Sequence, residues 1–115
     1  MDSILTAVKK LLGIAEEYTQ FDADLIMHIN TVFMTLYQMG IGPDSPFIIE
    51  DESSYWDDFS SDIETMAAVK SYVYMKVRLL FDPPTSGPLL DSLKQLIDEY
   101  EWRLNVLKDK WDESE

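Results

Sequence analysis

The chain has 115 residues, 46% of them hydrophobic, which is too many for a disordered polypeptide and enough for one core but not two. Nine Lys and Arg stand against 22 Asp and Glu, and the resulting net charge of −13 disfavours direct binding to phosphate backbones. The absence of Cys excludes a disulfide framework, a thiolate nucleophile and a cysteine-based zinc site.

No apolar run approaches the roughly 20 residues of a membrane-spanning helix. The opening "MDSILTAVKKLLGI" lacks the basic start and small-residue cleavage site of a signal peptide, so a soluble intracellular protein is expected. Residues 1–115 read as a single all-α domain, a small bundle of four to five helices with one extended loop.

Residues 3–12 form an amphipathic segment in which Ile4, Val8 and Leu11 share a stripe, Leu5 and Leu12 flank it, and Gly13 supplies the stop. A second helix is expected from about Ala23 to Met39, with Asp22 as N-cap. Leu25, Ile29, Val32, Leu36 and Met39 make its first stripe and Ile26, Phe33 and Tyr37 a neighbouring one, so this helix should meet more than one partner. Residues 41–53 lose the helical period. Phe47, Ile48 and Ile49 suit a strand, but a lone strand has nothing to pair with in a small monomer; it pairs with the same segment of a neighbouring subunit or is an ordered loop, and the loop is favoured for a monomer. Residues 44–60 are expected to be this loop and a short helical turn, "YWDDF", capped by Ser54 with Asp57.

Ser61 and Glu64 form an S-x-x-E capping box that opens a helix from Asp62 to Phe81. Ile63, Met66, Ala67, Val73, Val77 and Leu80 line one of its sides, Val69, Tyr72 and Leu79 another, with Tyr74 and Met75 between. A helix apolar on most sides belongs in the middle of a bundle. Pro83 and Pro84 end it by removing backbone donors and pushing Asp82 out of the helical region. Ser86 can cap a long last helix with Pro88 in its first turn. That helix carries a heptad of Leu90, Ile97, Leu104 and Trp111 with Leu93, Tyr100 and Leu107, widened by Leu89 and Leu96. A short Pro-rich connection predicts that it folds back along the central helix, with residues 107–115 fraying.

No reaction centre emerges. His28 is the only histidine, so no catalytic triad or multi-histidine metal site can form. Asp57, Asp58, Asp62 and Glu64 cluster, but around helix starts where acids are expected and without an EF-hand pattern. Aromatic and apolar residues outside the helical seams are left as candidates for a protein interface: Phe47, Ile49, Trp56 and Phe59. The competing expectation, held evenly, is that they fold back onto the chain's own core. Trp102 with Arg103 leans towards an interface, because its neighbours are polar. Asp82, Pro83 and Pro84 join these candidates as the corner that sets the angle of the last helix.

Residues 74–106, "YMKVRLLFDPPTSGPLLDSLKQLIDEYEWRLNV", resemble the C-terminal half of bacteriophage head–tail connector (adaptor, or head-completion) proteins. "VKKLLGI", "DADLIMHINTVFMTLYQMGIGP" and "WDDF" follow the same family in order, so the resemblance covers about residues 3–106. It implies a small helical structural protein without catalytic residues or cofactor, forming a homo-oligomeric ring of about a dozen copies under the portal vertex. Its implied partners are the portal protein and the next connector or tail-completion protein, with DNA passing through the channel unbound. The implied location is the virion head–tail junction, and the host cytoplasm before assembly. An acidic DNA mimic that inhibits a host nuclease or DNA-binding protein is the alternative that the net charge leaves open.

Overall fold

A computed structural model describes residues 3–60 and 62–113, the side chains of Ile63 and of residues 109–113 excepted. Five helices follow in order among the described residues: α1 (Ile4–Leu12), α2 (Asp22–Gln38), α3 (Trp56–Phe59), α4 (Ile63–Phe81) and α5 (Gly87–Glu113). The expected all-α bundle is what forms.

Helix α1 begins where the Ser3 hydroxyl accepts the Thr6 N–H at 3.1 Å and ends at Gly13, whose φ of 79° lets its N–H reach the Lys10 carbonyl. Ile4, Leu5 and Val8 are buried, but Leu11, expected on the same stripe, is 58% exposed. The inward face instead includes Lys9, which is only 2% exposed. Its ammonium lies 2.8 Å from Asp22 Oδ1 and donates to the carbonyls of Glu16 and Tyr18 at 2.9 and 2.7 Å. Lys9 thereby gathers the α1–α2 connection around one cation. This corrects the expected role of Asp22: it is the first residue of α2 rather than its N-cap, because its carboxylate is committed to Lys9. Asp22 Oδ1 has no hydrogen-bond partner besides this ion pair.

Helix α2 buries Leu25, Ile29, Val32, Phe33 and Leu36 and leaves Met27, Met34 and Tyr37 exposed. The segment after it is a loop, and no strand forms among the described residues beyond an isolated bridge between Ser3 and Tyr55. The Asn30 side chain substitutes for a strand neighbour: its Nδ2 donates to the Ile49 carbonyl at 3.0 Å, and its Oδ1 accepts the Ile49 N–H at 2.8 Å. Both backbone groups of a buried loop residue are thus satisfied. Gly42, at φ 101°, passes so close to Phe59 that a Cβ would lie 2.5 Å from the ring. Helix α3 starts one residue later than expected. The Ser54 carbonyl accepts from Ile4 N–H and Tyr55 is held extended in the bridge, so Asp58, not Asp57, accepts the Tyr55 N–H at 2.9 Å.

Helix α4 is the middle layer and packs against both α2 and α5. Val69, Tyr72, Val73 and Val77 are fully buried, while Ala67 and Leu80, expected on an inner side, are exposed. Ser61 of the expected capping box lies outside the described residues; Asp62 sits at the N-cap and accepts the Thr65 hydroxyl. Asp82 ends the helix, followed by the two prolines as expected.

Helix α5 starts at Gly87, with the Ser86 carbonyl accepting from Leu90 N–H. It runs back along α4: Arg78 and Leu89 meet at one end of their shared surface, Ala68 and Leu107 near the other. Ile97 and Leu104 are buried and Leu93, Tyr100 and Leu107 half-buried, which is the heptad expected. Leu89 and Leu96 do not widen that seam; they face outward, 63% and 45% exposed. The helix continues to Glu113, and Lys108 packs on Gly40. Trp111, the last heptad residue, lies where side chains are not described. Tyr72 donates to Glu101 at 2.7 Å across the α4–α5 seam, and burial, then this bond, pushes its phenol well above the ordinary range.

Three outcomes check this account. Lys9→Met leaves Asp22 and two carbonyls without their cation and is expected to cost about 3 kcal/mol in urea unfolding. Asn30→Ala is expected to cost about 2 kcal/mol, with faster hydrogen exchange at Ile49 than at α4 amides. Tyr72 contributes fully below the unfolded tyrosine pKa of about 10, and its contribution is lost as pH rises through the raised folded value. Tyr72→Phe should therefore reduce stability by about 1.5 kcal/mol at neutral pH and show a shallower alkaline decline than the wild type.

Candidate functional site

Several titratable residues serve local structure. His28 is half-buried and sets its ring edge-on to Phe81 at 6.3 Å. Asp58 caps α3, Asp62 takes the Thr65 hydroxyl, and Asp51 accepts from the hydroxyl and N–H of Ser53, which holds its carboxyl below the usual range. Among the described residues no three His, Asp or Glu side chains come together as a metal site, and no described helix is long and apolar enough to cross a membrane. What the protein does present is shaped apolar surface.

The candidate residues of the loop turn inward. Ile49, Trp56 and Phe59 are almost wholly buried in the chain's own core and offer no free contact surface. Phe47 is half-buried, its ring edge-on to Phe33 at 4.9 Å and to Phe59 at 5.5 Å. Lys70 covers Trp56 from outside, 5.7 Å from the ring centre. Aromatic content alone gave no way to separate these two outcomes. The distinguishing signals were Asn30, which clips the loop down, and Gly42, which admits the Phe59 ring.

The candidates on the other side remain outside. Trp102 is 67% exposed. Arg103 stacks over Tyr100 at 5.1 Å and pairs with Glu99 at 2.7 Å, one helical turn away. Asp82 and Pro83 are exposed and Pro84 is half-buried. Pro84 borders a groove of about 660 Å³ between α4 and α5, bounded also by Leu11, Tyr74, Met75, Leu89 and Leu96. Lys70 and Arg78 are the charged residues of this groove, and no carboxylate lines it. A second concavity of about 480 Å³, around Ala67, Trp102, Arg103 and Val106, adjoins it through Ser71 and Tyr100. Leu89, Leu96, Trp102 and Val106 are thus exposed apolar side chains of α5 outside the buried heptad.

A different apolar surface lies on α2 and the loop after it. Met27, Met34 and Tyr37 on α2 are exposed, and Ile48, beside the clipped Ile49, projects outward on the loop. Helix α4 packs against both α2 and α5, so the two surfaces belong to different helices that share one partner. Sequence reasoning found Trp102 on the first of them but missed Leu89, Leu96 and the α2 surface. The signal was a second seven-residue spacing, Leu89 with Leu96 and Met27 with Met34, running beside each buried stripe.

A family model described as phage connector protein matches residues 4–110, from the first turn of α1 almost to the end of α5. No match came from comparison with curated proteins or with solved structures. The match spans the buried middle helix, the proline corner and both exposed surfaces together. With nearly the whole chain matched, the protein belongs to the phage connector family, structural proteins of the junction between phage head and tail.

Proposed function

We propose that this connector works as a closed ring of identical copies, about a dozen by family resemblance, seated between the portal protein and the next connector or tail-completion protein. The observation that carries the reading is the pair of unlike exposed apolar surfaces: Met27, Met34 and Ile48 on α2 and its loop, Leu89, Leu96 and Trp102 on α5. A two-fold dimer uses one self-complementary patch, whereas a ring needs two different patches that meet head to tail. The protomer is also flat, 41 × 35 × 21 Å, a shape that suits side-by-side packing.

Trp102 and Arg103 are the residues of α5 best placed to anchor a neighbour, a large exposed ring beside a fixed guanidinium. Asp82, Pro83 and Pro84 act by setting the direction in which α5 leaves the bundle, and so the angle between copies. Ile49, Trp56 and Phe59 serve from inside, by holding the loop that displays Ile48. The excess of carboxylates suits a channel through which DNA slides without sticking. The function calls for no cofactor. Before assembly the copies reside in the host cytoplasm.

Expression together with the portal and neighbouring structural genes, followed by affinity capture, mass spectrometry and negative-stain microscopy, tests this reading. Portal or tail-completion protein and ring-shaped particles are the expected recovery. Pro83→Ala combined with Pro84→Ala should reduce ring yield several-fold with little change in far-ultraviolet circular dichroism. Capture of a host nuclease or DNA-binding protein, with no virion component, would overturn the connector ring in favour of a DNA mimic.

A further inference from the structure

Charge is sorted along this chain as well as in excess. Between Lys10 and Lys70 there is no Lys or Arg, while Asp and Glu recur throughout; every other base except Lys9 lies in residues 70–110. The fold converts that sorting into two faces. Helix α2 and the loop after it form an acidic side, on which Asp44, Glu50, Asp51 and Glu52 are exposed around the projecting Ile48. The α4–α5 groove forms the other, apolar along its walls and edged by Lys70 and Arg78. Lys70 has an aromatic neighbour, Trp56, and Arg78 donates to the Tyr74 hydroxyl at 3.4 Å. Among the described residues neither has a carboxylate within 4.0 Å, although Asp82 at the end of α4 lies near enough to act on Arg78. A groove of this kind selects an apolar segment flanked by acids.

We propose that the Ile48 corner of one copy, with its flanking acids and the Met27–Met34 face behind it, seats in the Lys70- and Arg78-edged groove of the next copy. This rests on the ring reading above and names its lateral contact. Within its own copy the corner is committed elsewhere, because Asn30 holds Ile49 against α2. The match therefore propagates from copy to copy. Ile48 supplies an exposed branched side chain, and Leu89 and Leu96 supply exposed walls to receive it. The acids around Ile48 meet cations across the contact, whereas two acidic faces or two grooves would oppose like surfaces.

The natural chain has no cysteine, so introduced pairs report contacts without background. Ile48 and Leu96 are both exposed, and cysteine at either should leave the fold, followed by circular dichroism, unchanged. Under mild oxidation in the presence of portal protein, the double variant Ile48→Cys with Leu96→Cys should give a ladder of disulfide-linked oligomers. Its yield should exceed at least tenfold that of a control pairing Glu17→Cys with Leu96→Cys. Arg78→Glu added to the double variant should suppress the ladder, and Glu50→Lys with Glu52→Lys should restore it.

Rings by microscopy without a ladder would overturn this contact and leave the ring standing on other surfaces. A ladder without rings would keep the contact and overturn closure. Dimers formed by Ile48→Cys alone would replace the head-to-tail contact with a two-fold one. Cross-linking of Leu96→Cys to portal protein, and not to Ile48→Cys, would assign the groove to that partner and overturn the proposal.

Discussion

Helix α4 carries large apolar side chains around most of its circumference, and each one left in water forgoes roughly 1.5–3 kcal/mol of burial free energy. The chain has three other substantial helices with which to enclose it. Helix α2 covers one side, α5 the other, and α1 closes part of a third. That arrangement fully buries Val69, Tyr72, Val73 and Val77 and makes α4 the layer on which the rest is hung. It also has a geometric consequence. Helices α2 and α5 each spend one face on α4, so apolar residues on their remaining faces stay in water as separate surfaces.

The devices that hold the layers in place are polar, and they lie at the connections. Lys9 binds two carbonyls and Asp22 where α1 hands over to α2. Asn30 binds both backbone groups of Ile49, and Tyr72 spans α4 to Glu101 of α5. Each supplies a partner to a group that burial would otherwise leave unpaired, and that penalty makes these positions sensitive. Lys9 is the extreme case, because its cation is almost wholly withdrawn from water and its partner Asp22 depends on it.

Helices and their order were legible because an amphipathic period is a property of the element itself. The stripes of α2 and the heptad of α5 needed no knowledge of their partners, and the proline corner announced its own effect. Lys9 was not legible: a lysine on an amphipathic helix reads as solvent-facing, and its ligands are carbonyls whose position exists only after the turn has folded. Ser54 and Asp57 fitted the capping pattern as well as Tyr55 and Asp58 do. The choice was made by a contact from Ser3 and Ile4, far away in the chain. Similarly, Trp56, Phe59 and Trp102 are alike in composition and opposite in placement. The difference comes from the loop being clipped over a groove in the core, whereas residue 102 sits on the outer side of a two-faced helix.

Acidity by itself does not separate a connector from a DNA mimic, but its distribution bears on the question. A mimic presents carboxylates at phosphate-like intervals to a basic partner, and a basic-edged apolar groove on the same molecule has no part in that task. Here the bases are withheld from one half of the chain and concentrated in the helical hairpin that forms the groove. Several carboxylates are meanwhile spent on local structure, with Asp22 on Lys9, Asp58 on the α3 cap, Glu99 on Arg103 and Glu101 on Tyr72. A chain so sorted carries both halves of an electrostatic match. The second half of the match is then most simply another copy of itself, and the net charge left after pairing belongs to the surface of the assembly, where it repels DNA instead of imitating it.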